Sequence, residues 1–311
     1  MKHLLRLIIL LSLYGYFYSC FAQTDTLTLC FISDTQNPVL FENLFLHSNN
    51  NAAARKILFK SIEDCKPNSV FHLGDLVGIG AISSDWKIMD AFTKELSDKK
   101  INFYPILGNH EYLFFPKRGI REFRKRFPTV NVDGYSKQFG NTAVVLFNSN
   151  FSKLSKEEEI EEINWFRNTL LKYESDSLIR FIIVGCHHPP FTNSKIVSPL
   201  NQDTMMVKFL NAFCNSSKCK LFLSGHAHTF EHFKSHNKDF LVIGGGGGLL
   251  HPLYSGKDAR FKDLSNIPPE ERSFHYLTVK VYEKNLWVNL NMCTGNFKEI
   301  KTFRQLNFYS K

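Results

Sequence analysis

Five short polar blocks interrupt this chain, each where an apolar, strand-like run gives way to a loop: Asp34-Thr35-Gln36, Gly74-Asp75, Gly108-Asn109-His110-Glu111, His187-His188-Pro189 and Gly225-His226-Ala227-His228. Carboxylates, amide oxygens and imidazoles are the donors that hold divalent cations. A carboxylate has two oxygens, so Asp75 can bridge two cations about 3.5–4 Å apart. Gly74 beside it lets the backbone turn without a Cβ clash. Asn109 offers a neutral carbonyl oxygen, and His226 and His228, two residues apart, can point imidazoles at different ions. Two carboxylates against two divalent ions leave a site positive. Such a site takes up phosphate oxygens and lowers the pKa of bound water toward neutrality. The expected chemistry is metal-dependent hydrolysis.

These blocks need a scaffold that gathers them. Apolar runs at 27–32, 70–73, 101–107, 143–147, 178–184 and 221–223 read as strands. Segments 52–62, 86–96, 120–127, 160–173 and 205–213 have helical spacing. Asn51 is a plausible N-cap for the first helix, and Ser155 with Glu158 has the spacing of a capping box before the fourth. After residue 240 the pattern changes to strands at 240–243, 276–281 and 286–290 with short turns. Alternating strands and helices argue for a largely parallel, buried sheet, and the closing strands for an antiparallel or mixed part. The expected fold is α/β: a sandwich of two packed mixed β-sheets flanked by helices. Ligands in such sheets collect beyond the carboxyl ends of the strands, where all five blocks stand. The stretch 249–272, with Pro252, Gly256, Pro268 and Pro269, reads as a mobile surface loop.

The 311 residues, 43% hydrophobic and 22% charged, suffice for a sizeable core. Residues 1–22 have a basic start, a short apolar segment and a small residue before a polar one, which describes a secretory signal peptide cleaved after Ala22. Lipidation at Cys20 is the alternative, with Phe17-Tyr18-Ser19 bulky for that role. No other segment is long and apolar enough to span a membrane. Export, to the periplasm or the medium, is therefore expected, with 23–311 as a single domain. The formal net charge of +9 includes Lys2 and Arg6. The remaining mild excess fits anionic small substrates or an anionic envelope surface, and the absence of long Lys/Arg tracts speaks against a nucleic-acid partner. Cys30, Cys65 and Cys186 read as small hydrophobes, whereas Cys214 and Cys219 could bridge a helix end to a strand start.

In this order the blocks resemble the calcineurin-like metallophosphoesterase superfamily, which includes purple acid phosphatases and many phosphodiesterases. Its pattern is D-x-H, G-D, G-N-H-[DE], a histidine with Pro nearby, and G-H-x-H, and the match spans about residues 27 to 232. The resemblance implies a phosphate mono- or diester as substrate, hydrolysed by attack of a metal-bridging hydroxide. It implies one metal held by Asp34, Gln36, Asp75 and His228, and a second by Asp75, Asn109, His187 and His226. The ions would be Mn, Fe or Zn, divalent or of mixed valence. His110 matches the histidine that protonates the leaving oxygen. Within the pair His187-His188 the first fits the motif, and His188 is the fallback. Two features depart from the pattern. Gln36 occupies the position of a ligand histidine, which shifts preference toward Mn²⁺ or Fe²⁺ over Zn²⁺. Leu76-Val77-Gly78 lacks the tyrosine of the purple subgroup, so no tyrosinate-bound ferric centre is expected. Two rival readings share the ligands: a non-catalytic phosphate-ligand binding protein with a degenerate first site, and a pyrophosphate-bond hydrolase.

Other residues take blander readings. Glu111 orients its neighbours rather than binding metal. The glycines at 244–248 lack the context of a dinucleotide loop and mark close backbone packing. The Arg/Lys-dense stretch 117–126 reads as a solvated helix face, near enough to the third block to draw in anions. Tyr112, Phe114 and Phe115 read as core or as pocket walls. His232 and His251 are near the site in sequence and are not ligands.

Overall fold

A computed structural model describes residues 27–310 except 40, 41, 45, 48, 49, 295 and 296, so the expected signal peptide and Cys20 lie outside the described residues. The first sheet has the order β12-β11-β10-β1-β2-β3. Its strands are β1 (Leu27–Ile32), β2 (Ser69–His72), β3 (Asn102–Pro105), β10 (His275–Val281), β11 (Asn285–Cys293) and β12 (Ile300–Tyr309). The second has the order β4-β5-β6-β7-β9-β8. It comprises β4 (Gly134–Phe139), β5 (Thr142–Phe147), β6 (Phe181–Cys186), β7 (Cys219–Ser224), β8 (Phe230–Ser235) and β9 (Lys238–Ile243). β1, β2 and β3 run parallel, as do β5, β6, β7 and β9, while the remaining pairings are antiparallel. Both sheets are mixed, as expected.

The α-helices among the described residues are α1 (Asn51–Cys65), α2 (Lys87–Asp98), α3 (Pro116–Arg126), α4 (Lys156–Ser175) and α5 (Thr204–Asn215). Period-two alternation divides the core even where the run is wholly apolar. In β5, Val144 and Leu146 join the cluster that holds Phe71, Leu73 and Leu277 of the first sheet and Leu58 of α1. Ala143, Val145 and Phe147 face Phe166 of α4 and Phe209 of α5. A strand buried on both faces reads as a continuous hydrophobic run, which is why β5, β6 and β7 were legible.

Several local expectations are corrected. The N-cap of α1 is Asn50, in the left-handed conformation and without a side-chain cap bond. Asn51 instead donates to the carbonyls of Gly247 and Gly248 at 2.9 and 2.8 Å. Cys214 and Cys219 form no bridge, and both thiols are free. Cys219 is fully buried as a small hydrophobe in the helix-side core. Phe114 and Phe115 fill no core, being 62% and 64% exposed. The stretch 249–272 is tied down: the buried Arg272 donates to the Phe230 carbonyl at 2.7 Å, and Arg260 to the Ser194 carbonyl at 2.6 Å.

Candidate metal centre

The carboxyl ends of β1, β2, β3, β6 and β7 open at one rim, where the chain turns sharply. Asp34, Asp75 and His226 adopt φ of 58°, 54° and 64°. Left-handed backbone at residues carrying a Cβ costs of order 1–3 kcal/mol each and collects at functional sites. Cross-links between the loops hold the turns. Asp34 N donates to Gly74 O (3.1 Å), Thr35 N to Asp75 O (2.9 Å), Gly225 N to His187 O (2.9 Å) and Gly248 N to Asp34 O (2.9 Å). Space is equally constrained: a Cβ on Gly108 would lie 2.2 Å from Asp75 Oδ1, and one on Gly248 2.5 Å from the His228 ring. The glycines at 244–248 thus serve close packing, as their context implied.

Eight side chains converge here. His187 Nδ1 donates to the Leu73 carbonyl at 2.9 Å, turning Nε2 toward Asn109 Oδ1 (2.9 Å) and Asp75 Oδ2 (3.3 Å). His228 repeats the device. Its Nδ1 donates to the Leu249 carbonyl at 2.7 Å, and Nε2 lies 3.5 Å from Asp34 Oδ1. A backbone acceptor on one ring nitrogen fixes the tautomer and aims the other lone pair, as in metal-ligating histidines. Gln36 satisfies its surroundings with its nitrogen donating to the carbonyls of Asp34 (3.2 Å) and Asp75 (3.1 Å) and its oxygen 3.0 Å from His228 Nε2. Both Asp34 oxygens accept from His226 N at 3.0 and 2.9 Å. Ligand atoms of Asp34, Asp75 and His187 lie within 4.8 Å of one another, as do those of His187, His188 and His226. Lone pairs thus face lone pairs, an arrangement that requires a cation or an extra proton between them. The donor set of carboxylate and amide oxygens with imidazoles fits divalent metal ions.

Electrostatics point the same way. Burial would lower the His187 pKa, but the Asp75 carboxylate outweighs it and raises it to about 9. Burial would likewise lower the His228 pKa, but its hydrogen bond and charge interaction with Asp34 outweigh burial and raise it. Asp75 is held well below the usual carboxylate range because His187 and His110 overcome its burial. His226, buried and flanked by His188 and His187, is pushed well down and keeps its lone pair.

The surrounding residues have distinct jobs. Glu111 accepts from Gly108 N (2.7 Å), Asp75 N (3.0 Å) and Leu76 N (2.8 Å), binding the second block to the third. Burial and the Asp75 charge push its pKa up to about 7, against the pull of the backbone donors. It orients neighbours, as read from sequence. His110 N donates to Asp75 Oδ1 at 2.8 Å and its Nδ1 donates to the Gly78 carbonyl at 2.7 Å. Its Nε2 is 3.8 Å from both Asp75 and Glu42 carboxylate oxygens. His188, tied to Ser149 Oγ at 2.9 Å, has its ring 4.5 Å from that of His226, so both members of the histidine pair reach the centre. His251 stacks on the His228 ring at 4.3 Å, whereas His232 is held 2.7 Å from Asp239 across the β8–β9 hairpin. Tyr112 is buried, its hydroxyl accepting from Asn148 at 2.8 Å.

Over the donors lies a cavity of about 210 Å³ with walls of Leu46, Leu113, Ile196 and Val197. Glu42 and His251 also line it, with no lysine or arginine among the described lining residues. Glu42 and Ser149 carry no signal in the sequence. Each is a single polar residue outside any motif, and only the fold brings it to the rim.

The sequence profile of the calcineurin-like phosphoesterase family matches residues 27–230. No functionally curated protein sequence matches this one significantly. Among solved structures, the chain is similar to a purple acid phosphatase from yellow lupin (Lupinus luteus) seeds. That match has a TM-score of 0.66 and 14% identity, and covers 92% of this chain and 54% of that one. It is also similar to GAP50, described as the anchor in the inner membrane complex of Plasmodium (TM-score 0.65, 13% identity, 92% and 89% covered). A dimetal phosphatase from Danio rerio gives a TM-score of 0.59 at 13% identity, with 92% and 99% covered. At such identities the structures speak for the fold, and the profile, spanning most of the chain, for descent. This chain belongs to the calcineurin-like phosphoesterase family, and its converging donors are those of a metal-dependent phosphoesterase.

Proposed function

We propose that the protein hydrolyses a phosphate mono- or diester at a two-cation centre. One cation is held by Asp34, Gln36, Asp75 and His228 and the other by Asp75, Asn109, His187 and His226. The observation that carries this reading is the convergence of acceptor atoms around Asp75, with the His187 and His228 lone pairs aimed by the Leu73 and Leu249 carbonyls. Divalent ions bound there supply Lewis acidity to phosphoryl oxygens and make water nucleophilic near neutral pH. The chain's own residues do the rest. His110, its Nδ1 committed to Gly78 O, presents Nε2 to the cavity, where it takes up a proton beside the Asp75 and Glu42 carboxylates and passes that proton to the departing alcohol oxygen. Leu113, Ile196 and Val197 exclude water from the leaving group. With Gln36 supplying an amide oxygen, Mn²⁺ or Fe²⁺ is preferred at the first position.

The test is hydrolysis of aryl phosphate mono- and diesters with Mn²⁺, Fe²⁺ and Zn²⁺ in turn. Asp75→Ala and Asn109→Ala should each lose at least about 10³-fold in turnover with the circular-dichroism spectrum unchanged. A single bound metal per chain with no hydrolysis under any of these conditions would favour the binding-protein reading instead. Export is part of the same proposal, supported by the composition of residues 1–22, and N-terminal sequencing of the mature protein separates cleavage after Ala22 from a lipid tether at Cys20.

A further inference from the structure

Apolar side chains left in solvent stand on the lining of the metal-site cavity or within two residues of it in the chain. Ile196, which lines the cavity, is 46% exposed. Leu44, two residues beyond Glu42 of the same lining, is 76% exposed, and Phe114, next to Leu113 of the wall, is 62% exposed. Phe115 follows at 64%. Large hydrophobics exposed singly are ordinary, but a cluster around one opening marks an interaction surface. The backbone accepts strain to present it: Phe114 has φ 60°, and Phe115 N donates to Leu113 O at 2.7 Å. That tight turn with positive φ is rare and costly for a bulky residue.

Helix α3 starts immediately after this pair. Its exposed residues Lys117, Arg118, Arg121, Arg124 and Lys125 fall at i, i+1, i+4, i+7 and i+8, one continuous stripe. None of the five forms an ion pair among the described residues. Arg126, by contrast, is used internally, bound to Asp90 and Glu122 and stacked over Trp86. Gly119 and Phe123 are buried on the opposite side, so the helix cannot turn its cations elsewhere.

We infer that this face docks on an anionic phospholipid surface. Phe114 and Phe115 enter the boundary between headgroups and acyl chains, the α3 stripe lies at the level of the lipid phosphates, and the metal centre opens toward the bilayer. Basic residues on one helix face beside aromatic and aliphatic anchors are the pattern of interfacial binding. A soluble polyanion would use the cations but leave Leu44, Phe114 and Ile196 wet, which is why a membrane is favoured over a nucleic acid. The inference is independent of which ester is cleaved.

The test uses the full chain carrying Phe115→Trp, whose new indole reports its own depth. Vesicles of phosphatidylcholine with 30% phosphatidylglycerol, brominated in the acyl chains, should quench the added fluorescence. Pure phosphatidylcholine should quench it at least about tenfold less at equal lipid. Adding Arg118→Glu and Arg121→Glu should weaken vesicle partitioning at least about tenfold, with the thermal midpoint in solution held as the control for folding. The N-terminal segment is common to all variants and cannot quench position 115. An indole that stays accessible to acrylamide on bound vesicles overturns the inference. So does quenching indifferent to lipid charge, or shielding from acrylamide by heparin as complete as that by vesicles.

Discussion

Gln36 is proposed to stand where the family pattern has histidine, and its surroundings suit an amide. Its nitrogen is consumed by the Asp34 and Asp75 carbonyls, and its oxygen is left toward His228 and the centre. The residue therefore remains a donor, harder than imidazole. Gln36→His should shift the ratio of bound Zn²⁺ to Mn²⁺, after dialysis against both in equal amounts, by about tenfold toward zinc, as read by elemental analysis. An unchanged ratio would detach Gln36 from metal choice. The variant also strands two backbone carbonyls, so it should unfold at lower temperature by an amount reflecting about 1–3 kcal/mol per unpaired group.

Strands with apolar runs buried on both faces, β5 and β6 above all, announce themselves most clearly. β4, β8 and β12 went unread, and each closes a sheet edge. β12 alternates between exposed and half-buried residues along most of its length, so its sequence carries little apolar signal. Helix α4 shows the opposite case, where local chemistry is self-sufficient. The Ser155 side chain accepts from Glu158 N at 3.2 Å and Glu158 accepts from Ser155 N at 2.7 Å, completing the capping box its spacing implied. Ser155→Ala should cost about 1 kcal/mol, a midpoint drop of roughly 2–4 °C, with metal content unaffected. A loss of metal would show that this helix end couples to the rim.

The whole molecule depends on two sheets packing with their parallel strand ends at the same rim. Asp34, Asp75 and Asn109 come from the first sheet and the histidines from the second, so neither sheet alone makes a complete centre. Glu162 of α4, buried and accepting from Asn148 N at 2.7 Å, sits beneath the loop after β5 on that rim. Burial pushes its pKa from 4.5 up to about 9. Between those values the folded chain keeps a proton that the unfolded chain has released. Stability from this group therefore falls as pH rises, by up to about 1.4 kcal/mol per pH unit. Glu162→Gln should flatten the decline, and the gap between variant and wild-type midpoints should widen from pH 5 to pH 9. Parallel curves in thermal unfolding would contradict this.

What the chain determined by itself was the α/β layering and the polar residues that stand where its strands end. Polar donors placed where apolar runs end stand out against their surroundings, and strands buried on both faces must be apolar throughout. Tertiary structure alone supplied Glu42, Ser149 and the stacking of His251 on His228, because each acts through a neighbour distant in sequence. It also turned Asn51 from an expected cap into a clamp on the glycine run, and decided between core and pocket wall for Phe114 and Phe115 by leaving both exposed. A polar or aromatic side chain satisfies its chemistry with whichever partner the packed sheets bring near, and that partner is set by contacts across the molecule rather than along it.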